Sequence, residues 1–354
     1  MTKRVCVIPG DDSAPEAVLT ALTVLRGMEL DIDYTVLPRG EDGAAAYGDD
    51  WERIGRDAVD ATDTTLFGST SGKTPTLRHL RWGKQTFTNV RPVRYMPGAN
   101  SPLRNPEGID FVIIRENMED LYTGVEGDLG ELEPMGFANR FTGEPLTGPE
   151  DRFAVKVITE EASRRVLRFG FELARKRKAE GHCGLVTVSS KYNMLPQTDG
   201  LFRDMGREVA KEFPDIEHEE YIVDDFARRI VATPHELDVV VLPNLYGDIL
   251  SDEASALAGG LGVAPSGCYA DDFAYFEPVH GTAPDIVGTG TINPTATLLS
   301  ATMMLEYLGM SDDAAALDRA VGAVYADGRC LTPDQGGTAT GEEYCRAVAR
   351  ELQA

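Results

Sequence analysis

Short apolar runs alternate with longer amphipathic stretches along this chain, and that alternation limits the folds open to it. Residues 5–8, 64–67, 111–115, 185–189 and 237–242 each read as a short buried strand. Between them lie helical stretches such as 159–178. There Thr159 is an N-cap, Glu160 and Glu161 fill the first turn, and Arg175-Lys176-Arg177-Lys178 closes the end. Such alternation predicts α/β layers around a mixed, largely parallel sheet. In these layers, binding loops gather at the strand C-termini. A chain of 354 residues is too long for one small core, so about two domains are expected. Residues 124–149 are rich in Gly, Pro and acids and too long for an ordinary connection, which predicts an intersubunit arm.

Composition narrows the function classes. The net charge of −24 argues against a nucleic-acid binder. No apolar run is long enough to span a membrane, and Met1-Thr2-Lys3-Arg4 leads straight into a strand rather than into a signal-peptide core. Five scattered cysteines with no CxxC pair read as reduced thiols of a cytoplasmic protein. No lysine occurs after Lys211, and arginine supplies most of the positive charge. An acid-rich, lysine-poor surface fits a high-salt cytoplasm and a GC-rich genome equally.

Chemistry concentrates in a few segments. Asn244-Leu245-Tyr246-Gly247-Asp248-Ile249-Leu250-Ser251-Asp252 follows the 237–242 strand. Asp248 and Asp252 are expected to open a helix with both carboxylates on one face. Such a pair complements the helix dipole or holds a hard cation such as Mg²⁺. Gly68-Ser69-Thr70-Ser71-Gly72-Lys73-Thr74 resembles a phosphate loop but has three residues between its glycines where a Walker loop needs four. The G-x-G-x-x-G dinucleotide fingerprint is absent. Arg78, Arg81, Arg91 and Arg115 end successive elements, an arrangement that suits a substrate with two or three carboxylates. Tyr122 follows Arg115 closely and can carry a proton. Lys191, before Tyr192 and Asn193, ends a strand as a surface charge or a buried base. Asp224 is expected at the end of another apolar strand, within reach of a metal shell. In Glu277-Pro278-Val279-His280-Gly281-Thr282-Ala283-Pro284-Asp285-Ile286, Gly281 permits close backbone approach and Thr282 offers a hydroxyl. Asp285 can accept both ribose hydroxyls of NAD and would repel the 2′-phosphate of NADP.

Together these segments resemble the metal-dependent β-decarboxylating dehydrogenases that act on isocitrate, homoisocitrate, 3-isopropylmalate, tartrate and D-malate. The match runs from Ile8-Pro9-Gly10-Asp11 to Thr332-Pro333-Asp334-Gln335-Gly336-Gly337. The resemblance implies a fold without a classical Rossmann fingerprint. Residues 1–98 and 252–354 form a large cofactor-binding domain. Residues 99–251 form a small dimerisation domain with an arm at about 124–155. It implies NAD, Mg²⁺ or Mn²⁺, and a homodimer, with a tetramer as the larger alternative, whose sites borrow residues across the interface. Arg81, Arg91 and Arg115 then bind the malate-like carboxylates, with Asn193 beside the substrate, and Tyr122 is the general acid. Lys191 as base and Asp224 as metal ligand come from the other subunit, and Asp248 and Asp252 complete the metal site. His280, Gly281, Thr282, Ala283, Asp285, Ile286 and Asn293 line the adenosine site.

Which 3-substituted malate is taken depends on residues just before Arg81. Isopropylmalate enzymes place leucines there. This chain has Leu77 and then Arg78, where homoisocitrate enzymes place an arginine, and it lacks the Ser and Asn that isocitrate enzymes carry where Pro75 and Leu77 stand. An anionic substituent, carboxylate or phosphonate, is expected. The alternatives are 3-isopropylmalate, tartrate, D-malate and a non-catalytic regulatory subunit. The family's GDGIGPE loop is here Gly10-Asp11-Asp12-Ser13-Ala14-Pro15-Glu16. Its backbone is expected to do without positive φ at Asp12 and Ala14.

Overall fold

The computed structural model describes residues 2–148 and 150–354. Pro149, the last residue of the expected excursion, and Met1 lie outside the described residues. The main sheet has ten strands: β1 (Lys3–Ile8), β2 (Ile32–Val36), β3 (Thr64–Phe67), β4 (Thr88–Arg94), β5 (Asp110–Glu116), β8 (Leu185–Ser190), β9 (Glu217–Ile222), β10 (Val239–Leu242), β11 (Pro265–Tyr269) and β12 (Ala274–Pro278). β6 (Glu126–Asp128) and β7 (Arg152–Ala154) form a separate antiparallel pair at the base of the 124–155 excursion. The helices are α1 (Ala14–Gly27), α2 (Gly40–Tyr47), α3 (Trp51–Asp60), α4 (Glu160–Ala179), α5 (Thr198–Ala210), α6 (Val223–Ala232), α7 (Asn244–Leu257), α8 (Thr295–Tyr307), α9 (Ser311–Asp327) and α10 (Gly341–Glu351). Among the described residues no helix is long and apolar enough to cross a membrane.

The strand order β2-β1-β3-β12-β11-β4-β5-β10-β8-β9 makes two parallel wings joined by an antiparallel centre. β12, β11, β4 and β5 pair antiparallel in succession, and every other pairing is parallel. β10, inside the sheet, is buried on both faces and reads as a continuous apolar run, Val239–Leu242, whereas the edge strands β2 and β9 are only partly covered. Each wing has its own core. α1, α8, α9 and α10 cover the β1 side. α4 and α5 cover one face of the β10 side, and α6 and α7 the other. The expected boundary at 98/99 falls between β4 and β5, and that at 251/252 falls inside α7.

Three local expectations are corrected. α7 begins at Asn244 with no acid in its first turn, so Asp248 and Asp252 lie one and two turns in, where the dipole explanation fails. Asp224 lies in the first turn of α6, after a strand, Glu-His-Glu-Glu-Tyr-Ile, that is mostly polar. Asp12 does take a left-handed backbone, φ +52°, after Gly10 at φ +84°. Aspartate tolerates that region because its short polar side chain bonds locally. Ala14 simply starts α1.

Candidate active site

Register brings the site together. Leu242 of β10 pairs with Arg115 at the end of β5, so the chain leaving β10 enters α7 beside that arginine. Gly247 permits the contact: a Cβ there would sit 2.7 Å from Arg115 Cβ. On the other side β4 runs antiparallel to β5 with Asn89 opposite Arg115 and Arg91 opposite Ile113. Arg91 and Arg115 are therefore diagonal neighbours on one sheet face.

Asp248 is the hub. It is ion-paired to the Arg115 guanidinium, accepts from the Tyr122 phenol, and lies 3.2 Å from Arg91 Nη1. Arg91 also donates to Ser251 Oγ at 2.6 Å and reaches Asp252 at 3.5 Å. Arg115 Nε donates to Asn244 Oδ1 at 2.8 Å, and its guanidinium lies 4.8 Å from the Tyr122 ring centroid. Burial works against ionisation of Asp248, yet Arg115, Tyr122, Arg91 and Arg81 hold its pKa below the usual carboxylate range. Burial and then the Asp248 charge push Asp252 up, with the arginines opposing. Burial, then the charges of Arg91 and Arg81, draw Arg115 down to about 10 against the pull of Asp248. Burial, then the bond to Asp248, raises Tyr122, so the phenol keeps its proton.

Arg81 arrives from a different element. Residues His79–Gly83 form a π-helical turn in which Lys84 N–H bonds to the His79 carbonyl at 2.8 Å. Arg81 thus sits on a turn wider than that of an α-helix, with Arg78 at its N-cap. Arg81 is half-buried beside Tyr275 and Glu277, whereas Arg78 is exposed and, among the described residues, makes no ion pair. Arg81 Nε and Arg115 Nη2 are buried without hydrogen-bond partners. Such orphaned donors are costly unless a ligand satisfies them. Two guanidiniums with unmet donors are suited to carboxylates.

Lys191 and Asp224 stand apart from this cluster and are ion-paired to each other. No three His, Cys, Asp or Glu side chains group as a metal cage among the described residues. Asn193 is exposed in the turn after Lys191.

The second expected site lies where β1, β3 and β12 end. Asp11, buried, takes the N–H groups of Ser71 and Lys73, each at 2.9 Å, and the hydroxyls of Thr70 and Thr74. The Gly68–Thr74 amides that resemble a phosphate cradle are thus consumed by an internal carboxylate. Asp12 pairs with Lys73 at 3.1 Å, and Ser13 N–H donates to the Thr282 carbonyl at 3.3 Å. Lys73, then the Thr282 and Ser71 hydroxyls, hold Asp12 below its ordinary pKa. Glu16 accepts from Gly288 N–H at 2.6 Å and Gly290 N–H at 3.0 Å, tying α1 to the loop after β12. In that loop Gly281 is exposed, Ala283 has φ +46°, and Asp285, beside Ile286, is exposed in the turn Pro284–Ile286. His280 Nδ1 bonds to the Gly281 carbonyl at 2.9 Å, while Nε2 is buried and unpartnered. Burial lowers the His280 pKa, so the ring stays neutral and Nε2 is an acceptor awaiting a donor. The Asn293 side chain is buried and spent on Asp334, Tyr325 and the Thr295 N–H.

Residues 4–349 match the family model for isocitrate/isopropylmalate dehydrogenase. The chain belongs to the isocitrate/isopropylmalate dehydrogenase family. It is 39% identical to the 3-isopropylmalate/3-methylmalate dehydrogenase of Methanocaldococcus jannaschii, over 99% of both chains. It is 37% identical to the isocitrate/homoisocitrate dehydrogenase of Thermus thermophilus, over 100% of this chain and 99% of that one. The crystal structure of isocitrate dehydrogenase from Methylococcus capsulatus superposes with a TM-score of 0.84 at 31% identity, covering 99% of this chain and all of the other. Members of this family are NAD- or NADP-dependent decarboxylating dehydrogenases that use a divalent metal such as Mg²⁺ or Mn²⁺, and this chain is one of the enzymes.

The residues present fit both groups. Asp248 and Asp252, four residues apart in α7, offer hard oxygen donors on one helix face, the donor type a hard divalent cation takes. The unpartnered His280 Nε2 and the exposed Asp285 suit an adenosine. Sequence reading missed Asn244 and Ser251, which anchor Arg115 and Arg91, and Asp11. Ser251 lay three residues after Asp248, a spacing that puts it on the same helix face.

Proposed function

We propose that this dehydrogenase carries out the NAD-dependent oxidative β-decarboxylation of a 2-hydroxy acid of the 3-substituted malate type with an anionic substituent, as in isocitrate or homoisocitrate. The observation that carries the anionic substituent is Arg78, exposed and, among the described residues, without an ion pair, three residues before Arg81. Burying an unpaired guanidinium against an isopropyl group is costly. The relatives' names span isopropylmalate, methylmalate, isocitrate and homoisocitrate, so they leave the substituent open.

In this reading Arg81, Arg91 and Arg115 hold the malate carboxylates, and the unmet donors of Arg81 and Arg115 find acceptors there. Asp248 and Asp252, with Asp224 of a second copy, hold the metal, and the two wings of the sheet act as two domains around the cleft. When bound, the metal supplies electrostatic stabilisation of negative charge on the substrate oxygens, and NAD supplies the hydride acceptor. Lys191 of the second copy takes the proton of the substrate hydroxyl. Tyr122, kept protonated by burial and Asp248, delivers a proton to the carbon that loses CO₂. Asp285 favours NAD over NADP, because a carboxylate there repels a 2′-phosphate.

The test is a panel of isocitrate, homoisocitrate, 3-isopropylmalate, tartrate and D-malate with NAD⁺ and Mn²⁺, run on the protein and on Arg78→Leu. Turnover of isocitrate or homoisocitrate should fall about tenfold or more in the variant, the scale of a lost charge-assisted hydrogen bond. D-malate, which lacks the substituent, should change much less. Equal losses on both, or 3-isopropylmalate as the best substrate of the unmodified protein, would reject the anionic substituent.

A further inference from the structure

A half-buried lysine outside the described site pairs with two carboxylates, one behind each half of the proton machinery. Lys156 follows β7, where the arm rejoins the body. Its side chain is 15% exposed, and Nζ lies 2.8 Å from Asp199 Oδ2 and 3.4 Å from Asp120 Oδ1, both carboxylates wholly buried. The Tyr246 ring of α7 lies 4.4 Å from the same ammonium. Burial lowers the lysine's proton affinity, but Asp199 and Asp120 more than restore it, so the ammonium stays charged.

Each carboxylate serves a different catalytic element. Asp120 caps the turn Leu121–Thr123 that carries Tyr122, accepting from Leu121 N–H at 2.9 Å. Its other oxygen accepts from Leu245 N–H at 3.0 Å in the first turn of α7, the helix of Asp248 and Asp252. Asp120 sits at φ +69°, ψ −141°, a conformation that non-glycine residues keep only where the surroundings over-determine it. Its backbone pairs with Val157, next to Lys156, through an N–H to carbonyl bond of 2.9 Å. Asp199 accepts from the backbone N–H of Lys191 at 2.8 Å, and its carbonyl accepts from Ser190 Oγ at 3.0 Å.

We propose that Lys156 is a positioning residue that fixes the Tyr122 turn through Asp120 and the Lys191 turn through Asp199 at once. The inference rests on the roles given above to Tyr122 and Lys191. If those two residues serve opposite sites of a dimer, one Lys156 governs a half of each site. Pairwise ion-pair strength is secondary here. The triad's consequence is registration of two loops that, among the described residues, no backbone hydrogen-bond ladder joins.

The variants are Lys156→Met, Lys156→Met with Asp199→Asn, and Lys156→Arg. The double variant removes one charge of each sign and so keeps the net buried charge of the cluster, which leaves it informative if Lys156→Met fails to fold. In whichever folds as a dimer, kcat should drop about tenfold to a hundredfold, the cost of misplacing a reacting group by about an ångström. NADH binding by titration calorimetry should stay within about twofold, and Lys156→Arg should recover most of the rate. A kcat within about twofold of the unmodified enzyme would overturn the proposal. Subunit exchange sharpens the test. Tyr122→Phe mixed with Lys191→Ala should regain one good site, which tests the shared-site reading by itself. Lys156→Met mixed with either of those should regain none, because it damages both halves. Recovery with Tyr122→Phe would free Tyr122 from Lys156, recovery with Lys191→Ala would free Lys191, and either overturns the proposal. Failure of the first mixture alone indicts the shared site, and Lys156 is then judged on kcat.

Discussion

Glu116, at the end of β5, turns burial into a pH dependence. Its carboxyl accepts from the N–H groups of Met118 at 2.7 Å and Glu119 at 3.0 Å and so shapes the turn leading to Tyr122. Burial raises its pKa to about 7 from 4.5, against the pull of those bonds. A carboxyl whose folded pKa is raised contributes stability below its unfolded pKa and loses it as pH climbs to the folded value. From pH near 4.5 to near 7 the loss is about 3 kcal/mol. Glu116→Gln cannot ionise, so its melting temperature should vary less between pH 5 and pH 8 than that of the unmodified protein. Identical slopes would show that Glu116 titrates normally. At this scale the sequence exposed residue types and their spacing, which located Arg91, Arg115, Tyr122 and Asp248. It hid partners far apart in the chain. Lys156 and Asp199 are 43 positions apart, and no periodicity announces their pairing. Asp12 was misread because a positive φ was tied to glycine alone, while its side chain has Lys73 to bond.

Among the elements, α7 does most to assemble the site. Gly247 lies between Tyr246 and Asp248, and a Cβ there would meet Arg115 Cβ at 2.7 Å and Cγ at 2.8 Å. Gly247→Ala must lift the helix from β5 and carry Asp248 away from Arg115. The expected cost is about 1–3 kcal/mol of stability, the usual range for overpacking. kcat/KM should fall about tenfold or more as the acid and the arginine lose register. Unchanged melting and unchanged turnover would mean that the contact relaxes freely. Elements with apolar strands were legible: 64–67 matches β3 end to end, and Thr159 caps α4 by accepting from Ala162 N–H. The antiparallel centre was not. β4, β11 and β12 contain Pro92, Pro265, Gly267 and Pro278, which disguise them as loops, and strand direction leaves no mark on local periodicity. The 237–242 run shortens to Val239 because Leu237 closes the turn Pro234–Glu236 and buried Asp238 binds Arg177 Nε at 2.6 Å.

For the whole molecule, the excursion between β6 and β7 is where surface chemistry departs most from an ordinary monomer. Met135 is 66%, Phe137 51% and Phe141 79% exposed, with Val125 at its base 52% exposed. Several large apolar side chains on one projecting segment mark a surface made to be covered. Members of this family are commonly homodimers, and a second copy is the occupant that the shared-site reading requires. A chain of net charge −24 resists self-association through its surface charge, so an apolar arm supplies the attraction that charge withholds. Each aromatic ring buried there contributes on the order of 2 kcal/mol. A twofold assembly carries each ring twice, so Phe137→Ser with Phe141→Ser should weaken the dimer by several kcal/mol. Sedimentation velocity at low micromolar concentration should then show monomer, and turnover should disappear with the dimer, because Tyr122 and Lys191 no longer meet. A dimer that persists with full activity would remove the arm from the interface. A fully active monomer would go further, since one chain would then build the whole site, with Lys191 and Asp224 serving elsewhere.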